Sequence, residues 1–138
     1  MGEPVHTVDD YFDQPLRGIA DFDGKPHCYE REFDEVTDEY TDIYRLAPVS
    51  ESVFKLAVEK SQIFDRWLEA FQAGTTTLDT HPALPPERSR YEELQRIVNE
   101  HIAEARPNMF RSRGRFLVIS DGRGLAGRSE VEWFGLDR

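Results

Sequence analysis

The residues of this chain that could do chemistry are its histidines, its single cysteine and two groups of like charge. His27 lies in a segment that reads as a β-hairpin, on the face carrying Phe22 and Tyr29. His81 lies in Thr80-His81-Pro82, within the long loop GTTTLDTHPALPP (residues 74–86), and long structureless loops are often functional. Brought together, with Asp21 or Asp79 nearby, His27 and His81 would supply general acid/base catalysis of a hydrolase or isomerase type. Cys28 follows His27 directly, but neighbouring strand residues point to opposite faces, so the two do not make a nucleophile–base pair. His6 is expected to be exposed, and His101 to be a hydrogen-bonded core residue.

The acidic group is Asp34, Glu35, Asp38, Glu39 and Asp42, interleaved with Tyr40 and Tyr44. Carboxylates so arranged could chelate a hard cation, but such a run is more often a solvated face. With tyrosines among them, these residues suit recognition of a basic protein surface. The basic group is Arg111, Arg113 and Arg115, spaced by two on a strand pattern and so sharing one face. They would bind an anion, or else pair with Glu130 and Glu132 on the next strand.

Two apparent motifs fail on context. Gly122, Gly124 and Gly127 spell G-x-G-x-x-G after a strand, but only 11 residues follow, and these alternate as a strand where dinucleotide binding needs a helix. Asp21, Asp23, Gly24 and Glu30 match positions of a calcium loop, but its first ligand position is Ile19. No metal site and no cofactor is therefore expected.

Those residues must be positioned by elements, and the pattern of the chain supplies them. Asp23-Gly24 suits a two-residue type I′ turn and sets Phe22 opposite Lys25, Ala20 opposite His27 and Gly18 opposite Tyr29. Phe33 belongs to the same, core-facing side. Residues 34–42 read as an acidic connector, and Ile43 to Val49 as a third strand. Ser50 is an N-cap for a helix whose stripe is Val53, Leu56, Ala57, Phe64, Trp67, Leu68 and Phe71, with Gly74 as its stop. A second helix starts near Pro86 and ends at Pro107. Strands from Phe110 to Ile119 and Ser129 to Leu136 follow. The order predicts an α+β fold: a mixed or antiparallel sheet of about five strands with a two-helix hairpin packed on one face. Residues 1–15 read as an N-terminal arm of a single 138-residue domain.

The charge is sorted along the length. Residues 1–44 hold 13 acidic and 3 basic side chains, and residues 106–138 hold 4 and 7, within a net charge of −10. An acidic chain of this kind repels nucleic acid and anionic membrane. The first residues show neither a basic n-region nor an apolar h-region, and no run is long and apolar enough to span a bilayer. One cysteine forms no internal disulfide and suits a cytoplasmic, reducing setting. The leading expectation is a non-enzymatic protein-binding module of inhibitor, immunity or regulatory type, acting through its acidic N-terminal face. An enzyme using His27 and His81 is the alternative, and anion binding at Arg111, Arg113 and Arg115 the third reading. An exposed strand edge would also permit a homo-oligomer.

Overall fold

Six antiparallel strands form the larger of two units in the computed structural model, which describes residues 2–118 and 129–136. They are β1 (Glu3–Phe12), β2 (Gln14–Phe22), β3 (Lys25–Asp34), β4 (Glu39–Pro48), β5 (Phe110–Val118) and β6 (Ser129–Phe134). Each pairs with the next in the chain, and β6 returns to β1 to close a barrel. The second unit, residues 51–103, is inserted between β4 and β5 and carries α1 (Glu51–Gln72) and most of α2 (Arg88–Ala105).

The expected mixture of helix and sheet is present, but the sheet differs from the expectation of about five strands. It has six, and they close on themselves. The extra strand is β1, which occupies most of the segment read as an arm. Its pattern is hidden because the inward residue after Val5 is Thr7, a polar side chain that is fully buried. Thr7 Oγ1 accepts the Ile19 amide at 2.9 Å where the β1–β2 register slips, so the hydroxyl repairs the ladder locally. The acidic connector is likewise not a separate piece. It is the tip of the β3–β4 hairpin, with only residues 35–38 outside the strands.

The β2–β3 hairpin has the expected register: Gly18, Ala20 and Phe22 stand opposite Tyr29, His27 and Lys25. Asp23 and Gly24 have φ of 56° and 77°, as a type I′ turn requires. Their amides form a concave donor pair, and the Glu3 carboxylate fills it at 3.0 and 2.7 Å. We expect Glu3→Gln to cost about 1 kcal/mol, since a charge-assisted hydrogen bond exceeds a neutral one. Urea denaturation should show a lower midpoint with an unchanged m-value.

The barrel interior is filled by Val5, Ala20, Tyr29, Tyr44, Leu46, Phe116 and Val131, with Val8, Phe22 and Trp133 packed against them. A barrel this narrow holds large rings only where small residues face them. Gly114 faces Trp133, whose ring lies where a Cβ would stand: Cζ3 would be 2.6 Å away. Gly18 makes the same allowance for Tyr29. The buried phenols are satisfied by main chain, Tyr29 donating to Thr7 O at 3.0 Å and Tyr44 to Pro15 O at 2.8 Å.

Both helices of the inserted unit follow the sequence. α1 begins after Ser50, and Gly74, with φ of 77°, lies just past its end. Ile63, Ala83, Tyr91 and Leu94 form a small core with Leu56 and Phe64. The loop between the helices is pinned to it: Trp67 Nε1 donates to Thr80 Oγ1 at 2.8 Å, and Thr80 Oγ1 to Thr77 O at 2.8 Å.

Candidate functional site

Antiparallel connectivity sends the β1–β2 and β3–β4 turns to the same end of the barrel. Asp13 and Asp38 take φ of 43° and 58° there, a left-handed conformation that aspartate tolerates better than most residues. Asp34 Oδ1 accepts the Val36 amide at 2.9 Å, an Asx turn. Turn chemistry therefore accounts for part of the acidic run, while Glu35 and Glu39 have no such local task.

The two turns are tied by Arg31. Its Nη1 lies 2.6 Å from Asp13 Oδ1, its Nε donates to Thr41 O, and its guanidinium lies 5.4 Å from the Tyr40 ring centroid. The Arg31 side chain is only 8% exposed, although it is charged. Tyr40 also meets Phe33 edge-on at 5.0 Å and Phe12 at 5.9 Å. Phe12 remains 63% exposed, Phe33 45% and Val36 94%.

Phe33 was expected on the core face. The ring is instead 45% exposed near the turn end of β3, against Tyr40, where the β3–β4 register shifts between Arg31 and Phe33 with the extra residues on β4. Around this aromatic patch stand Asp34, Glu35, Asp38 and Glu39, none with a basic partner within 4 Å among the described residues. Asp42 differs, because Arg113 Nη1 reaches its Oδ1 at 2.7 Å.

The arginine stripe is closed by carboxylates. Arg111 binds Glu32 through two hydrogen bonds of 2.7 and 2.9 Å, Arg113 binds Asp42, and Arg115 approaches Glu132 at 3.1 Å. Only Arg115 uses a partner on β6, as the sequence suggests; the others reach β3 and β4. A further pair, Arg106 with Glu30, has hydrogen bonds of 3.1 and 2.8 Å.

His27 and His81 belong to different units, and each is surrounded by its own neighbours. His27 is buried, donates from Nδ1 to Lys25 O at 2.8 Å, and packs against Phe22 and Phe110. His81 sets its ring perpendicular to Trp67 at 4.7 Å. The carboxylates suggested for them have other partners: Asp21 lies 2.8 Å from His6 Nε2, and Asp79 accepts from Thr77 Oγ1. Burial pushes the Cys28 thiol up to about 11, which leaves it a poor nucleophile. His101 has its Nε2 buried without a hydrogen-bond partner among the described residues, unlike the satisfied core histidine expected. The G-x-G-x-x-G at Gly122, Gly124 and Gly127 lies outside the described residues.

Sequence reasoning located the carboxylates but missed Arg31, Phe12 and Phe33 as parts of one site. The alternation of β3 carries no signal for this, since Phe33 holds the same place in it as Tyr29; its exposure follows from lying near the β3–β4 turn, outside the packed core. Among the described residues there is no cluster of histidine, cysteine and carboxylate side chains that could hold a metal, and no helix long and apolar enough to cross a membrane. Comparison with family models, curated proteins and solved structures finds no match to this chain.

Proposed function

We propose that this protein is a non-catalytic binding module, acting in a reducing cytoplasm, that docks a basic protein surface on the acidic, aromatic end of its barrel. The observation that carries the reading is the exposed group Phe12, Phe33 and Val36 beside Tyr40, rimmed by Asp34, Glu35, Asp38 and Glu39. Exposed apolar patches with a polar rim mark interaction sites. Aromatic rings supply the buried centre of such an interface, and unpaired carboxylates attract lysine and arginine and speed encounter. Arg31 holds the two turns in place before binding, so little ordering remains to oppose association. The same charge disfavours nucleic acid.

The catalytic alternative has less support, because His27 is enclosed by rings and its Nδ1 is committed to a main-chain carbonyl.

The test uses the native lysate and three versions of the chain: the wild type, Asp34→Asn/Glu35→Gln/Asp38→Asn/Glu39→Gln, and Phe12→Ser. The wild type should retain a basic protein that both variants lose. With that protein purified, neutralisation should slow association about tenfold or more and flatten its dependence on salt. Phe12→Ser should mainly raise the dissociation rate. Equal capture by all three versions, or a captured protein that is acidic, overturns the proposal.

A further inference from the structure

The arginines of β5 are neutralised within the fold, and the residual positive charge lies one strand away, at Arg45. In the cross-strand register Arg45 stands between Glu30 on β3 and Arg111 on β5. Both neighbours are engaged elsewhere: Glu30 takes two hydrogen bonds from Arg106, and Arg111 gives two to Glu32. Arg45 itself reaches only the main-chain oxygen of Arg106, at 3.4 Å, with no carboxylate within 4 Å among the described residues. Arg45, Arg106 and Arg111 against Glu30 and Glu32 leave one positive charge uncompensated.

That charge lies in a cleft of about 600 Å³ on the outer face of the barrel, lined by Glu30, Arg31, Glu32, Phe33, Arg45 and Arg111. The two bidentate pairs fix its walls. They also use the Nε and Nη2 atoms of Arg106 and Arg111, which leaves Nη1 of each outside the pairs.

We infer that this cleft is an oxyanion site centred on Arg45, taking a phosphate or carboxylate group. A guanidinium with unspent donors matches either group through paired N–H···O bonds, which an ammonium could not reproduce. The net charge of −10 opposes any anion at long range. At physiological salt that repulsion is screened over roughly 8 Å, so the local guanidiniums decide binding within the cleft. The cleft borders the docking surface through Arg31 and Phe33, but the inference needs neither Phe12 nor the four carboxylates, so Arg45→Gln tests it separately.

The test is a titration of the full chain, followed by the backbone amide resonances of Glu30, Arg45 and Arg111. Inorganic phosphate and glutarate are added separately, against sodium chloride at matched ionic strength. Saturable shifts with phosphate or glutarate and not with chloride are expected, and the stronger of the two identifies the phosphate or the carboxylate as the preferred group. Arg45→Gln should weaken the response about tenfold or more, Arg45→Lys should weaken it less, and Arg115→Gln, outside the cleft, should leave it unchanged. The spectrum itself reports whether each variant is folded. Equal shifts with chloride, or an Arg45→Gln chain that responds like the wild type, would overturn the assignment.

Discussion

Gly18→Ala is expected to destabilise the barrel by about 3–5 kcal/mol, although it adds one methyl group. A Cβ at Gly18 would stand 2.1 Å from Thr7 O and 2.8 Å from the Tyr29 hydroxyl. The first contact is with main chain, which no rotamer change relieves. Moving β1 away to admit the methyl also breaks the bonds that converge on Thr7: its hydroxyl accepts Ile19 N, and its carbonyl accepts the Tyr29 hydroxyl. Both are buried, so each leaves a desolvated polar group behind. Against a typical domain stability of about 5–15 kcal/mol this is a large fraction.

Gly24→Ala provides the comparison. Gly24 has φ of 77°, and nothing lies within 4 Å of the added Cβ. That substitution costs only the left-handed conformation, roughly 1–2 kcal/mol. Both glycines have positive φ, 158° at Gly18 and 77° at Gly24, so thermal unfolding of the two variants reads the cost that close approach adds to backbone strain: Gly18→Ala should lower Tm by about 10–20 °C, and Gly24→Ala by several-fold less. Adding Tyr29→Phe to Gly18→Ala should restore nothing, because the clash with Thr7 O persists. Equal losses at the two glycines, or rescue by the double variant, would show that the approach of Thr7 to Gly18 is not what closes β1 onto β2.

Gly18 also shows why the barrel was hard to read. Local signals located most elements: Asp23-Gly24 specified the hairpin and its register, Ser50 and Gly74 bounded α1, and the last two strands came from alternation. Closure is a different property. It depends on Gly18 and Gly114 facing Tyr29 and Trp133, and on a seam in which β1 meets β6 through Glu3 with Val131 and Pro4 with Glu130. Gly18 and Tyr29 are matched within one hairpin, but Gly114 with Trp133 and the β1–β6 pairs join residues far apart in sequence. β1 was obscured by its own chemistry, since Thr7 is polar yet buried and the register shifts around it disturb alternation.

The candidate site divides in the same way. Its carboxylates were legible as a run, whereas its apolar centre was not, because Phe33 keeps the alternation of the core-facing residues of β3 yet lies outside the packed core, near the turn. Arg31 itself looked like one of few bases in an acidic segment. In the fold its charge is consumed by Asp13 and Thr41 O, and so it leaves the field of Glu35, Asp38 and Glu39 intact. The acidic front of the chain is thus partly turn chemistry, partly internal pairing through Asp42, and partly a charged rim.

Alkaline unfolding is the second large effect expected. Burial pushes the Cys28 thiol from its ordinary 9.0 up to about 11, with nearby Glu30 adding to the rise. Burial also raises the Tyr29 hydroxyl well above its ordinary 10.0, assisted by Asp9, and it raises Tyr44 despite the opposing charge of Arg31. All three groups are neutral when protonated, and the folded chain holds those protons more tightly than the unfolded chain does. Their contribution is therefore complete below pH 9. It declines once the unfolded chain ionises, from about 9 for Cys28 and about 10 for the tyrosines, and the Cys28 part is spent as the pH passes through about 11. A rise of about two pKa units makes the Cys28 share about 3 kcal/mol, and the tyrosines add to it. Urea midpoints measured from pH 7 upward should hold steady to about pH 9 and then fall steeply. Tyrosinate absorbance from the core pair should appear together with loss of the barrel and not before it. Cys28→Ala should move the decline to higher pH by removing the first group to titrate. Stability that stays level through pH 11, or tyrosinate from Tyr29 and Tyr44 in a folded barrel, would mean that their hydroxyls reach water, and that the Thr7 and Pro15 carbonyls do not hold them closed.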